Sequence, residues 1–249
     1  MTGAAPLHRA IAAQALVELR LTARRGENLL ALVGIPALVL LFFAWTTVID
    51  VPGERPADFL LPGALALAVV AAGMVNLGIA TAYERSYGVL RRLALSPLGR
   101  PGLVASKVTS IAAIVGIQSV VLIAAAWLAL GWRPADGLSA LSLGAALALG
   151  TVTFTALGLL LAGALRAEAT LALANGLFIA SVAIGGVVVP TSSLPGPVAA
   201  IANLLPFAAL AEALRIAFGT AAPDAAPFAV VLAWAVLGTT VSSRTFRWD

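Results

Sequence analysis

The chain alternates long apolar runs with short charged intervals. Six runs, 29–49, 59–82, 108–130, 139–164, 171–189 and 225–243, contain no Asp, Glu, Lys or Arg. About 20 apolar residues cross the hydrocarbon layer as a helix, so each run predicts a transmembrane helix. A seventh run, 198–218, is long enough but holds Asn203, Pro206, Glu212 and Arg215. A charge at the bilayer centre costs at least about 2.5 kcal/mol, and proline breaks a helix near its middle. That run predicts two short helices split at Pro206, within an extracellular or re-entrant segment 190–224 before the last span. At the start of the chain, 1–27, Gln14, Glu18, Thr22 and Arg25 share one helical face and Ala12, Leu16 and Leu19 lie opposite. This pattern predicts an amphipathic helix in the membrane interface.

Composition supports this reading. Apolar residues make up 61% of the 249, charged residues 10%, and mean hydropathy is +1.04. An ordinary soluble domain is roughly half apolar and about a quarter charged, and a fold of this size has no interior able to hide the surplus. The expected fold class is an all-α membrane protein of six transmembrane helices in one domain, 1–249. There is no cysteine and His8 is the single histidine, which excludes thiolate chemistry, a catalytic triad and a His- or Cys-based metal site. A pI near 10.6 fits basic loops beside anionic lipid headgroups, rather than nucleic acid.

Charge bias sets the orientation. With six spans and the N-terminus inside, the cytoplasmic segments collect Arg9, Arg20, Arg24, Arg25, Arg85, Arg91, Arg92, Arg100, Lys107, Arg166, Arg244 and Arg247. Only Arg55, Arg133 and Arg215 remain outside. The positive-inside rule then places both termini in the cytoplasm. Five of those basic residues sit in one interval, 83–107, between the second and third spans. Helix is expected over 83–95, with Leu90 and Leu93 sharing a face. Ser96 and Pro97 stop it, and Gly99, Pro101 and Gly102 turn the chain back. An apolar ridge on a basic cytoplasmic helix reads as a docking surface; the plainer alternative is a headgroup anchor. Glu84 is expected to pair with Arg25 or Arg85.

Inside the spans, Asn76, Gln118 and Asn175 read first as interhelical hydrogen-bonding groups and second as the lining of a substrate path. The glycines, Gly73, Gly78 and Gly158 among them, permit close helix approach. Glu212 and Arg215, three residues apart, read as a surface ion pair; with Pro206 they form the alternative of an outer gate.

Three motifs fall in order along the chain: Phe59-Leu60-Leu61-Pro62-Gly63; then Tyr83-Glu84-Arg85, Gly88-Val89-Leu90, Leu93, Ser96-Pro97, Arg100 and Lys107; then Leu205-Pro206-Phe207 with Glu212-Ala213-Leu214-Arg215. Together they resemble the ABC-2 type transporter permeases, and look most like the daunorubicin-resistance-type drug exporters. Val89, Arg91 and Ser106 depart from that family's usual Thr, acidic residue and Gly. The resemblance implies a permease half in the plasma membrane that pairs with a second copy or a paralogue. It also implies a separate cytoplasmic ABC ATPase. Glu84, Arg85, Gly88, Leu90, Arg91, Arg92, Leu93, Pro97, Arg100 and Lys107 would couple the two. This chain would bind no cofactor; ATP and Mg would belong to the ATPase. That agrees with the absence of a G-x-x-x-x-G-K-[ST] phosphate loop. The expected cargo is hydrophobic or amphipathic: a drug, a lipid or a lipid-linked glycan. A secondary carrier would ordinarily need ionisable residues within the spans, and the six runs hold none. A membrane-embedded enzyme would need a catalytic group such as Glu84, Glu168 or Asp50, and these are not paired in sequence.

Overall fold

The computed structural model of the chain describes residues 6–24, 26, 30–46, 55–96, 98–134, 137–187 and 190–246. Among them there is helix and no strand. Helix α1 is Leu7–Arg24 and α2 is Leu30–Trp45, whose first turn, Leu30–Gly34, is a π turn. Helix α3 is Pro56–Ser86, α4 is Val89–Ala94, α5 is Gly99–Leu130, α6 is Ala140–Ala164 and α7 is Ala167–Ile184. A 3-10 turn at Thr191–Ser193 leads to α8, Gly196–Leu204, then α9, Pro206–Ala217, and α10, Ala226–Thr245.

Helices α3, α5, α6, α7 and α10 are each long and apolar enough to cross a membrane. The bent pair α8–α9 makes a sixth if it counts as one broken span. Helix α2 covers 16 residues of the run 29–49, of which 29 and 47–49 lie outside the described residues. The bend between α8 and α9 is 82°. It falls at Leu205, held extended (φ −80°, ψ 142°) by the proline that follows it.

Helix α3 is the axis of the bundle. In its most apolar 18-residue window, 89% of the residues are buried, against 39% for α5 and 22% for α10. Helices α2, α5, α6, α7 and α9 all pack on it. Lipid tails are as apolar as Leu, so burying an apolar side chain between helices gains little over leaving it in lipid; backbone proximity and polar ties must hold the bundle. The sequence provides for this with small residues. The Cα of Gly158 on α6 sits over the backbone of Gly73, and a Cβ at Gly73 would stand 2.9 Å from the Thr155 nitrogen. One turn along, a Cβ at Gly78 would lie 3.1 Å from the Cα of Gly158. At this contact α3 widens into a π turn, Ala71–Asn76, where the Leu77 N–H bonds to the Ala72 carbonyl five residues back. The expected close helix approach is thus a backbone contact between α3 and α6.

At the end opposite α1, polar ties close the bundle. Trp132 Nε1 donates to Asp58 Oδ1 at 2.8 Å, joining the end of α5 to the start of α3. Arg215 on α9 corrects the expectation of a surface pair. Only 6% exposed, it donates to the Gly186 carbonyl and to Glu212 Oε2, and its guanidinium lies 4.1 Å from the centre of the Phe59 ring. Glu212 and Arg215 are close, as their spacing implied, but the arginine turns inward because α9 is wedged among α3, α6 and α10. Pro206, at the first position of α9, is buried as well.

The glycine contact makes a prediction. Gly158→Leu drives a side chain into the Gly73 and Met74 backbone and lowers stability by about 1–3 kcal/mol or more. Gly116→Ala, where a Cβ meets nothing within 4 Å, leaves the thermal midpoint unchanged or slightly raised. Thermal unfolding of the two purified variants checks the contrast.

Candidate functional site: the elbow and its ion triad

The interval between α3 and α5 folds as an elbow, and α1 lies against it. Helix α3 ends at Ser86 because Gly88 takes the left-handed conformation (φ +70°), with its N–H on the Arg85 carbonyl at 2.9 Å. An L side chain there is strained. The continuous helix expected over 83–95 is therefore two helices with a break at Tyr87–Gly88. Helix α4 is closed by Ser96, whose Oγ donates to the Leu93 carbonyl at 2.6 Å. Pro97 lies outside the described residues. A second left-handed glycine, Gly99 (φ +63°), opens α5. Pro101 sits in its first turn, where a missing N–H costs nothing. So α5 starts nine residues before the run 108–130, and Arg100 and Lys107 belong to a helix rather than to a loop.

The expected apolar ridge is also corrected. Leu90 is 0% exposed and packs with Leu98 and Leu103 of the α5 approach, with Ala10, Ile11, Leu93 and Phe246 partly buried around them. It anchors the elbow to α1 and α5 and presents nothing outward. Leu93 is half-buried in the same cluster. The residues the elbow does present are Arg91, Arg92, Val89, Tyr87 and Leu95, the last two 74% and 86% exposed. Leu95 counts among the leucines that a merely solvated loop would not need, whereas sequence reasoning missed Tyr87; a large aromatic side chain beside Gly88 was the available signal. Tyr87 stacks on Tyr83 with ring centres 6.2 Å apart.

Beneath the elbow lies an ion triad. Lys107 Nζ is 2.8 Å from Glu84 Oε2 and 3.1 Å from Glu18 Oε1. Gln14 Nε2 also donates to Glu18 Oε1, at 3.3 Å. Lys107, expected among the coupling residues, is 1% exposed and lies beneath the elbow surface. Glu84 pairs with Lys107, not with Arg85, and Arg25 lies outside the described residues. Arg85 instead donates to the Gly163 and Leu165 carbonyls at 2.7 and 2.6 Å. Those are among the carbonyls that the C-terminus of α6 leaves without an intrahelical partner, so Arg85 ties α3 to α6. One lysine thus joins α1, α3 and α5, and the adjacent arginine adds α6.

The polar residues of the spans separate. Gln118 is 1% exposed and its Nε2 donates to the Leu32 carbonyl at 2.7 Å, inside the π turn that opens α2. This is interhelical packing. Asn76 and Asn175 line one cleft of about 750 Å3 with Leu21 of α1, Ile35 of α2 and Tyr83, Glu84 and Tyr87 of the elbow. Asn175 is exposed and its Nδ2 donates to the Leu171 carbonyl at 2.9 Å. No group of three or more His, Cys, Asp or Glu side chains able to hold a metal ion occurs among the described residues.

This bundle of apolar helices, with an amphipathic helix packed against its elbow, has a counterpart among known protein families. The family model of the ABC-2 type transporter aligns with residues 13–218. The chain belongs to the ABC-2 transporter family. It is a multi-pass membrane protein and the membrane domain of an ABC exporter, of a family that generally pairs with an ABC ATPase subunit. No curated protein matches the chain.

The triad carries a prediction. Removing one partner of a buried ion pair typically costs about 3–5 kcal/mol, while replacing all partners by neutral groups is often near neutral. Lys107→Met is expected to lower the thermal midpoint sharply, and Lys107→Met combined with Glu18→Gln and Glu84→Gln to recover most of the loss. A double-mutant cycle on purified protein measures the coupling.

Proposed function

We propose that this ABC-2 membrane domain is the passive half of a drug-exporter-type transporter, worked from the cytoplasm through its elbow by a separate ATPase subunit. The observation that carries the reading is the division of the elbow. One face, the buried Leu90 with the half-buried Glu84 and Arg85, is tied to α1, α3, α5 and α6. The other, Tyr87, Val89, Arg91, Arg92 and Leu95, is exposed, basic and apolar together. A push on the exposed face reaches the spans through ion pairs and hydrogen bonds rather than through a slack loop. In this reading both termini are cytoplasmic and the membrane is the plasma membrane. ATP and Mg bind on the ATPase.

The cleft shared by Asn76 and Asn175 supports a route on the face formed by α2, α3 and α7. A second copy or a paralogue facing it would complete the route. Its walls are mainly apolar, with two amides, two tyrosines and the Glu84 carboxylate at the elbow end, which suits a hydrophobic or amphipathic cargo: a drug, a lipid or a lipid-linked glycan. Pro206, Glu212 and Arg215, at the far end of α3, stand where an outer gate would be. The long apolar faces of α5 and α10 meet lipid.

Charge reversal tests the docking face. Arg91→Glu with Arg92→Glu is expected to lower transport at least tenfold and to reduce co-purification of the ATPase subunit, with membrane insertion and thermal midpoint unchanged. Both side chains are exposed, so a folding defect is not expected. Normal transport by the double variant would sink the proposal.

A further inference from the structure

Helix α1 packs on the bundle with the face that looks polar in sequence. Gln14, Glu18 and Thr22 are half-buried, and Glu18 reaches Lys107 on α5. Near the start of α1, Ala10 and Ile11 pack beside Leu90, Leu98 and Leu103. The opposite face is exposed. It carries Arg9, Arg20 and Arg24, with Leu16 and Val17 on either side and Leu21 beyond. At about 100° per residue the three arginines fall within about 60° of one another. Glu18, the only acidic residue of α1, stands half a turn from Arg9. None of the three arginines forms an ion pair with a described residue.

The depth of this face follows from α5. Its 32 residues make a rod of about 48 Å, longer than the hydrocarbon layer of about 30 Å. The uncharged stretch 108–130 fills that layer, which leaves Lys107 at its boundary and the first turns of α5 beyond it. Helix α1 lies against this protruding part. A Cβ at Gly102 would stand 3.4 Å from Leu7 Cδ1, and Glu18 meets Lys107. The exposed strip of α1 is therefore level with the lipid headgroups.

Arginines interleaved with aliphatic side chains, and no acid among them, suit one kind of surface. Leucine and valine enter the boundary between headgroups and acyl chains, while arginine lays its stem along apolar surface and lifts its guanidinium to a phosphate. A helix face meant for water would not need Leu16, Val17 and Leu21, and a purely apolar lipid contact would not need three arginines. We infer that the outward face of α1 is a clasp for an anionic lipid surface, gripped by Arg9, Arg20 and Arg24. Each arginine beside such a surface strengthens attachment about fivefold, and the three together about a hundredfold. The inference needs only α1 and its packing on α5, and stands apart from the exporter reading.

The chain has no cysteine, so Ala13→Cys, exposed between Arg20 and Arg24 on the helical wheel, takes a single spin label. The full chain is placed in nanodiscs of phosphatidylcholine alone, or with one third phosphatidylglycerol, and no ATPase subunit is added. Collision with an uncharged, water-soluble nickel chelate reads how far the label is open to water. Phosphatidylglycerol is expected to lower that collision rate at least threefold, and about 0.5 M salt to restore most of it by screening. Arg9→Gln with Arg20→Gln and Arg24→Gln abolishes the difference between the two discs. Arg133→Gln, at an exposed arginine past the other end of α5, preserves it. In neutral detergent the triple variant keeps the parent's thermal midpoint, because all three side chains are exposed. Equal collision rates in the two discs overturn the inference, whether the label is open in both, as a protein-docking face would be, or sheltered in both, as apolar contact alone would make it. A phosphatidylglycerol response that survives the triple substitution overturns it too. So does a midpoint several degrees lower in the triple variant, because the arginines would then serve the fold itself.

Discussion

Contact between the backbones of α3 and α6 at Gly73, Gly78 and Gly158 is the constraint on which the rest of the bundle depends. In water a helix pair is driven together by removing apolar surface from solvent. In lipid that drive is nearly absent, and helices stay together through close van der Waals packing and polar ties. Side chains at these three positions would hold the helices apart. Helix α3 would then lose the central place that buries almost its whole length, and α9 and α10, which pack on α6, would lose their register with it.

On that frame the polar residues divide by task. Gln118, Arg85, Trp132 and Asp58 satisfy backbone or side-chain groups between elements that are distant in sequence. Lys107 differs from these because it holds two carboxylates at once, one on the amphipathic helix and one at the end of α3. The triad carries a net negative charge next to a strongly basic surface, and only Lys107 is almost fully withdrawn from solvent. Under the proposed coupling to a separate ATPase, a stiff connection would be needed between the pushed surface and the moving helices, and the elbow would supply it.

Much of this was legible in the sequence, and what was not has a physical reason. Long uncharged runs mark membrane helices because the hydrocarbon layer demands them, and five of the six runs correspond to helices long enough to cross. Helix ends were harder to read. Pro101 and Gly102 look like a turn, yet proline is tolerated in the first turn of a helix, and α5 begins at Gly99. Spacing showed that Leu90 and Leu93 share a face but not whether that face turns toward a partner or toward α1. The pairing of Lys107 with Glu18 spans 89 residues, beyond any local pattern. Arg215 reads as a surface charge by composition alone; its burial follows from the wedging of α9, a tertiary fact.

The ties at the two extremities of α3 have a mechanical consequence. Near Pro56 the helix is fastened by Asp58 to Trp132 and by Phe59 beneath Arg215; near Ser86 it is fastened by Glu84 and Arg85. Midway lies the π turn Ala71–Asn76, where the hydrogen-bond ladder of α3 loosens. A beam clamped at both ends and weakened at its centre does not slide when loaded; it bows. The fulcrum is the point where Gly73 touches Gly158, so flexure of α3 is handed directly to α6.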